Sequence, residues 1–275
     1  MEWNRSSPRI GAVPFDVSNH SITLWGSEVS DKYTLLTDGA SNPKTAKLAA
    51  EFGFLPAILH LASGRQVSEA LGRSVTVCPM AEANRCEAPC LDYSGRGGFD
   101  VRVRAARIRK TLLYFTDRSG FVATLRGDIG KLESRAAKRG LRPVVRLDGT
   151  SDIGLAAQFA AEFPNVMHYD YTKVTARARR WVRSHPSNYH LTYSLGAANL
   201  ADSLELLAAG VSVAVPFAVR KGEALPSTFH GAPVIDGDTH DYRFTDPAGV
   251  IVGLRAKQGS VKRDADNGGG FLVAA

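Results

Sequence analysis

Residues 142–173 read RPVVRLDGTSDIGLAAQFAAEFPNVMHYDYTK and hold one complete strand–helix–strand unit. A β-branched run closes on the polar loop Asp148–Asp152, the stretch after Asp152 reads as a helix, and a second alternating run starts at Asn165. Strands alternating with helices at this spacing predict right-handed crossovers and a parallel sheet covered on both faces. Four further runs carry the same strand signal: SVTVCP (74–79), NYHLTYS (188–194), VSVAVPF (211–217) and VIVGLRAK (250–257). Helical stretches lie between them. FVATLRGDIGKLESRAAKRG ends on Gly140, and LGAANLADSLELLAAG runs to Gly210 with Asn199 as a candidate N-cap.

Six strands predict an α/β fold, a parallel partial (βα)6 TIM-like barrel over residues 71–260. Residues 1–70 are expected to form an N-terminal extension packing on the barrel and 261–275 a C-terminal tail. Within the extension, LLTDGASNPKTAKLAAEFGFLPAILHLAS (35–63) reads as a loop and a capping helix. The chain has 275 residues, 44% of them hydrophobic and 22% charged, which excludes disordered, collagen-like and coiled-coil classes. No apolar run approaches the roughly 18 residues of a membrane span, and MEWNRSSPRI carries no signal-peptide core, so a cytoplasmic location is expected.

The formal charge of +7 is unevenly spread: residues 101–146 hold thirteen Lys or Arg against three Asp or Glu. Arg102, Arg104, Arg107, Arg109 and Lys110 are the candidates for a nucleic-acid partner, with Tyr93, Phe99, Tyr114 and Phe115 beside them to stack bases or fill the core. A solvated Arg-rich helix face fits the same run.

In a parallel α/β sheet, ligands bind where the loops leave the carboxyl ends of the strands. The three cysteines, Cys78, Cys86 and Cys90, share one such loop with spacing C-x7-C-x3-C. Thiolates gathered in this way suit an iron-sulfur cluster or zinc, and three ligands leave one metal position open; small buried hydrophobes are the alternative. Asp148 and Asp152 are candidate acceptors, with Asp152 equally placed to cap the next helix. Asp170, Lys173 and Arg255 complete a candidate catalytic set with Asp148. His168 and His190 read as core residues, and His240, in the Asp236–Asp241 loop, as the better functional histidine. G-x-S-x-G, Walker-A and H-E-x-x-H signatures are absent, against the commonest hydrolase and triphosphatase readings.

The blocks LLTDGASNPKTAKL, FLPAILHLAS, CPMAEANRCEAPCLDYSGRG, RIRKTLLYFTDR, VVRLDGTSD, YDYTK, YHLTYS, PVIDGDTHDYRFTDP and VGLRAK resemble the bacteriophage gene-product-eighty-eight family from about Thr34 onward. That resemblance implies a phage or prophage source and no particular reaction. More distantly, the layout is similar to the radical S-adenosylmethionine superfamily. By that resemblance Cys78, Cys86 and Cys90 would hold three irons of a [4Fe-4S] cluster, Gly149, Thr150, Ser151 and Asp152 would meet the cofactor's amino group, and Ser194 its ribose or carboxylate. The cysteine spacing is longer than the superfamily's C-x3-C-x2-C, Pro89 stands where an aromatic precedes the last cysteine, and DGTSD replaces its Gly-Gly-Glu segment.

The expected function is radical modification of a nucleic-acid base or nucleotide. A second expectation is a DNA base-exchanging transglycosylase-like barrel with Asp148 or Asp170 as nucleophile and structural zinc. A third is a non-catalytic phage factor that binds nucleic acid or a host protein.

Overall fold

The computed structural model describes residues 34–39, 45–46, 49–90, 97, 99–257, 259–266 and 268–275. Thr34–Ala275 forms one compact unit. Tyr93, and the part of the expected extension before Thr34, lie outside the described residues.

Among the described residues, nine strands form one sheet in the order β1-β2-β3-β4-β5-β6-β9-β8-β7. They are β1 (Leu36–Asp38), β2 (Phe54–Leu59), β3 (Arg142–Arg146), β4 (Met167–Thr172), β5 (Tyr189–Ser194), β6 (Val213–Phe217), β7 (Thr228–Phe229), β8 (Ala232–Asp236) and β9 (Ile251–Arg255). All neighbours are parallel except the edge pairs β1–β2 and β7–β8. The described helices are α1 (Gly64–Ser68), α2 (Val101–Thr116), α3 (Arg118–Lys138), α4 (Ala156–Glu162), α5 (Thr175–Ser184), α6 (Leu200–Ala208) and α7 (Ser260–Asp266).

Five of the six expected strands are present, and the sixth is elsewhere. The first parallel strand is FLPAIL, not SVTVCP. All six residues of β2 are buried, so the run carries no alternation and reads from sequence as easily as a helix. SVTVCP lies across α1 instead of joining the sheet: Val75 O presses on Gly64, where a Cβ would stand 2.0 Å away, and Thr76 Oγ1 accepts from Cys78 N at 3.0 Å. β1 and β2, within the stretch expected to cap the barrel, are therefore strands of the sheet itself. The C-terminal tail joins it too, since Val273 bridges to Phe217 of β6.

Strand alternation and register divide the side chains between two faces. One carries Phe54, Ile58, Val144, Arg146, Tyr169, Tyr171, His190 and Thr192, which are paired across β2 to β5. The other meets the helices. Successive strands step in one direction from β2 to β9, but the chain returns from β8 toward β6. A right-handed connection for that reversed step must cross the face opposite the helices. Residues 237–250 do so: Tyr242 packs with Phe54, Val144 and Tyr169, and its hydroxyl donates to Thr45 O at 2.6 Å. This crossover brings Asp241 over Arg146, with Arg146 Nη1 at 2.8 Å and the hydroxyls of Tyr169 and Tyr171 each at 3.3 Å from its carboxylate.

Candidate active site

The loop after β3 holds itself in shape. Asp148 Oδ1 accepts from Ser151 Oγ at 2.7 Å and Ile153 N at 2.8 Å, and Oδ2 from Gly154 N at 2.9 Å. Asp148 N donates to Asp170 Oδ1 at 2.7 Å. Asp170 is buried on the helix-facing side, and burial together with Asp148 raises its pKa well above the carboxylate range. Both carboxylates act as backbone clamps here. Thr150 Oγ1 donates to Leu61 O at 2.6 Å, and a Cβ on Gly149 would meet Ile58 and the Leu59 carbonyl oxygen at 2.6 Å, so glycine lets β3 close on the end of β2.

Asp152 does not cap α4, which starts at Ala156 after Leu155. Its carboxylate accepts from Thr172 Oγ1 at 2.9 Å and Lys173 N at 2.9 Å and pairs with Arg177 of α5. Burial raises its pKa while Arg177 opposes the shift. Its backbone N donates to Val77 O at 2.8 Å, which seats the start of the cysteine loop on the end of β3.

That loop is pinned at three more points. Fully buried Asn84 takes Ala197 N on its carbonyl at 3.3 Å and Ala198 N on Oδ1 at 3.4 Å, in the turn after β5. There Gly196 leaves room, since a Cβ would stand 2.6 Å from Asn84. Arg85, in the left-handed region at φ 50°, donates from Nη1 to Gly268 O at 2.9 Å and Gly269 O at 3.1 Å. Arg263 of α7 donates to Ala88 O at 3.0 Å.

Against this loop stands Lys173. Its ammonium donates to Ser194 Oγ at 2.5 Å, Leu195 O at 3.1 Å and Ser194 O at 3.4 Å, and lies 5.3 Å from the centre of the Phe271 ring. Burial lowers its pKa, and Cys86, Asp152, Cys78 and Cys90 act to raise it. No disulfide joins Cys78, Cys86 and Cys90. Burial pushes the Cys78 thiol up, with Cys90, Asp152, Cys86 and Asp148 adding to it; burial does the same to Cys86, where Lys173 opposes. Among the described residues no three His, Cys, Asp or Glu side chains stand close enough together to hold a metal ion.

A family model described as Gene product 88 matches residues 28–270. The chain belongs to the Gene product 88 family. No curated protein matches, and no solved structure matches. In this family member the described helices include none long and apolar enough to cross a membrane.

The expected set thus separates in space. Cys78, Cys86, Cys90, Asp152, Lys173 and Ser194 come together at the carboxyl ends of β3 to β5. Arg255 is instead held through Nη1 by Asp236 at 2.9 Å and Asp238 at 3.4 Å, and through Nε by Glu223 O at 2.8 Å, so its contacts lie at the β8–β9 end. His240 lies 6.0 Å from Phe52 and stacks on Tyr242. The basic helix divides as well: Arg102 is exposed, Arg104, Arg107 and Arg109 are half-buried, and Lys110 is buried with Nζ donating to Thr37 Oγ1 at 3.3 Å. Phe99 is 73% exposed, whereas Tyr114 packs on Phe115 and Phe121. Asn84, Arg85, Arg263, Phe271 and the Arg146–Asp241 pair carry no sequence signal of their own. Gly196 and the run Gly268–Gly270 mark where two of them dock.

Proposed function

We propose that this chain is a phage-encoded metalloenzyme of the radical S-adenosylmethionine type, built on a partial parallel barrel and acting on a nucleotide or nucleic-acid base. The observation that carries the reading is Lys173: its ammonium donates to Ser194 Oγ at 2.5 Å at the end of β5, and its backbone N is held by Asp152, whose own N donates to Val77 O at the start of the three-thiol loop. Three thiols on one loop suit a polynuclear cluster. A four-iron cluster separates its thiolates more widely than a single ion does, and its negative charge is stabilised by a neighbouring ammonium in a low-dielectric setting. Cys78, Cys86 and Cys90 would hold a [4Fe-4S] cluster, which would supply one-electron reductive cleavage of S-adenosylmethionine.

The chain's own groups have definable tasks. Lys173 and Ser194 offer an ammonium and a hydroxyl to the carboxylate of an amino-acid ligand. Asp152 fixes the Lys173 backbone and seats Val77, so the thiol loop and the lysine share one anchor. Phe271 stands 5.3 Å from the ammonium, and the Gly268–Gly269 backbone holds Arg85 of the thiol loop beside it. The test is formation of 5′-deoxyadenosine from S-adenosylmethionine and a one-electron reductant after anaerobic reconstitution. Wild type is expected to form it, Cys78→Ala to form none, and Lys173→Ala to lose at least tenfold. Cleavage unaffected by removing the thiols, or none in a cluster-loaded wild type, would overturn the proposal.

A further inference from the structure

Between its first and last cysteine the thiol loop borders a second feature. Ala81, Glu82, Arg85, Glu87 and Ala88 line one open groove of about 360 Å³ together with Arg65 of α1. Neither the cysteines nor Lys173 and Ser194 line it, so the groove is separate from the thiol and lysine site.

The backbone along the groove is already committed. Ala81 O accepts from Cys86 N at 3.1 Å, Glu82 O from Arg85 N at 3.0 Å and Glu87 O from Cys90 N at 3.2 Å, while Ala88 O takes Arg263 Nε at 3.0 Å. Arg85 is fixed in turn, since its Nη1 donates to the carbonyls of Gly268, which also borders the groove, and Gly269. A ligand that enters need not order the loop first.

Four charged side chains border this one space, Arg65 and Arg85 against Glu82 and Glu87. Among the described residues none of the four belongs to an ion pair, and the side chains of Arg65, Glu82 and Glu87 make no hydrogen bond. Their balance decides the class of ligand. A phosphate or nucleic-acid strand would meet the two carboxylates as well as the arginines, and a metal ion or polyamine the two arginines as well as the carboxylates. A molecule carrying both signs pairs with each half: a guanidinium grips a carboxylate, and carboxylates accept from an ammonium. The volume lies near the lower end of small-molecule clefts, roughly 300–1,000 Å³. The apolar lining is the methyl groups of Ala81 and Ala88, which suits small side chains.

We propose that the groove between α1 and the thiol loop binds a zwitterion of amino-acid or dipeptide size, its carboxylate on Arg65 and Arg85 and its ammonium on Glu82 and Glu87. The site requires neither a cluster nor radical chemistry. Its occupant touches the turn whose Ala81 carbonyl holds Cys86, and so braces the loop from the side away from the cysteine sulfurs' own contacts with Lys173.

The experiment titrates L-alanyl-L-alanine, its N-acetyl form, its C-terminal amide and inorganic phosphate into the full chain by calorimetry and NMR. Iron and S-adenosylmethionine are left out, so a failed reconstitution does not touch the result. The free dipeptide is expected to bind saturably and at least tenfold more tightly than either blocked form, and phosphate not to displace it. Arg65→Gln should abolish the preference over the amide, and Glu82→Gln/Glu87→Gln the preference over the N-acetyl form, because each variant deletes the partner of the charge that the blocked ligand lacks. These side chains make no hydrogen bond within the fold, so the variants test binding and not folding. Absence of saturable dipeptide binding, equal affinity for free and blocked forms, displacement by phosphate, or a preference that survives these variants would overturn the proposal.

Discussion

Replacing Arg146 by Met tests the buried centre that supports the rim. Arg146 Nη1 lies 2.8 Å from Asp241 Oδ2, both side chains are nearly inaccessible, and the guanidinium covers the Tyr171 ring at 4.5 Å. Removing the arginine leaves the Asp241 carboxylate buried with two tyrosine hydroxyls at 3.3 Å as its remaining hydrogen-bond donors from β4. Breaking one side of a buried ion pair costs about 3–5 kcal/mol. For a chain of this size that lowers Tm by on the order of 10 °C. Urea and thermal unfolding of Arg146→Met, Asp241→Leu and the double variant measure it. The double variant is expected to recover most of the loss, because no lone charge remains. The reasoning fails if Arg146→Met unfolds within about 1 kcal/mol of wild type, or if the two losses simply add.

Other outcomes follow from the same contacts. Gly149→Ala should destabilise by about 1–3 kcal/mol, since its Cβ meets the Leu59 carbonyl oxygen at 2.6 Å and β2 and β3 must part; equilibrium unfolding reads it. Burial holds the pKa of His168 and of His190 near 4 and that of His60 near 3, below the unfolded 6.5, so the unfolded chain binds more protons as pH falls below 6.5. Stability should therefore drop from pH 6.5 toward pH 4, and His168→Asn should flatten the profile. Lys110 is lowered to about 8 from 10.5, so wild type should gain on Lys110→Met as pH rises from 8 to 10.5, measured by paired denaturation curves. Deleting residues 268–275 removes the Arg85 acceptors and the Phe271 ring, and thiol modification of Cys78, Cys86 and Cys90 should become at least tenfold faster.

Where local pattern and tertiary environment agree, the sequence is legible. β3, α4 and β4 fall where the 142–173 unit predicts them, and Gly140 closes α3 with φ 62°. FLPAIL misleads because burial on both faces erases the period of two. SVTVCP misleads in the opposite sense: its alternation is genuine, but Val75 N donates to Ser68 Oγ and Val75 O packs against Gly64 of α1. The crossover over residues 237–250 is set by strand order alone, so nothing local announces that Asp241 will reach Arg146. At the site, residues consecutive in one loop could be named together from sequence. The lysine could not be paired with the serine or the thiol loop, since Lys173, Ser194 and Cys86 lie on three separate connections.

Iron, sulfide and zinc analysis of anaerobically reconstituted protein, with its visible spectrum, bears most directly on the central claim. The account predicts iron and sulfide in equal amounts, with the broad absorption of a thiolate-held cluster, lost in each of Cys78→Ala, Cys86→Ala and Cys90→Ala while the fold persists. Stoichiometric zinc without sulfide, or a cluster that survives the loss of any one of these thiols, would contradict it.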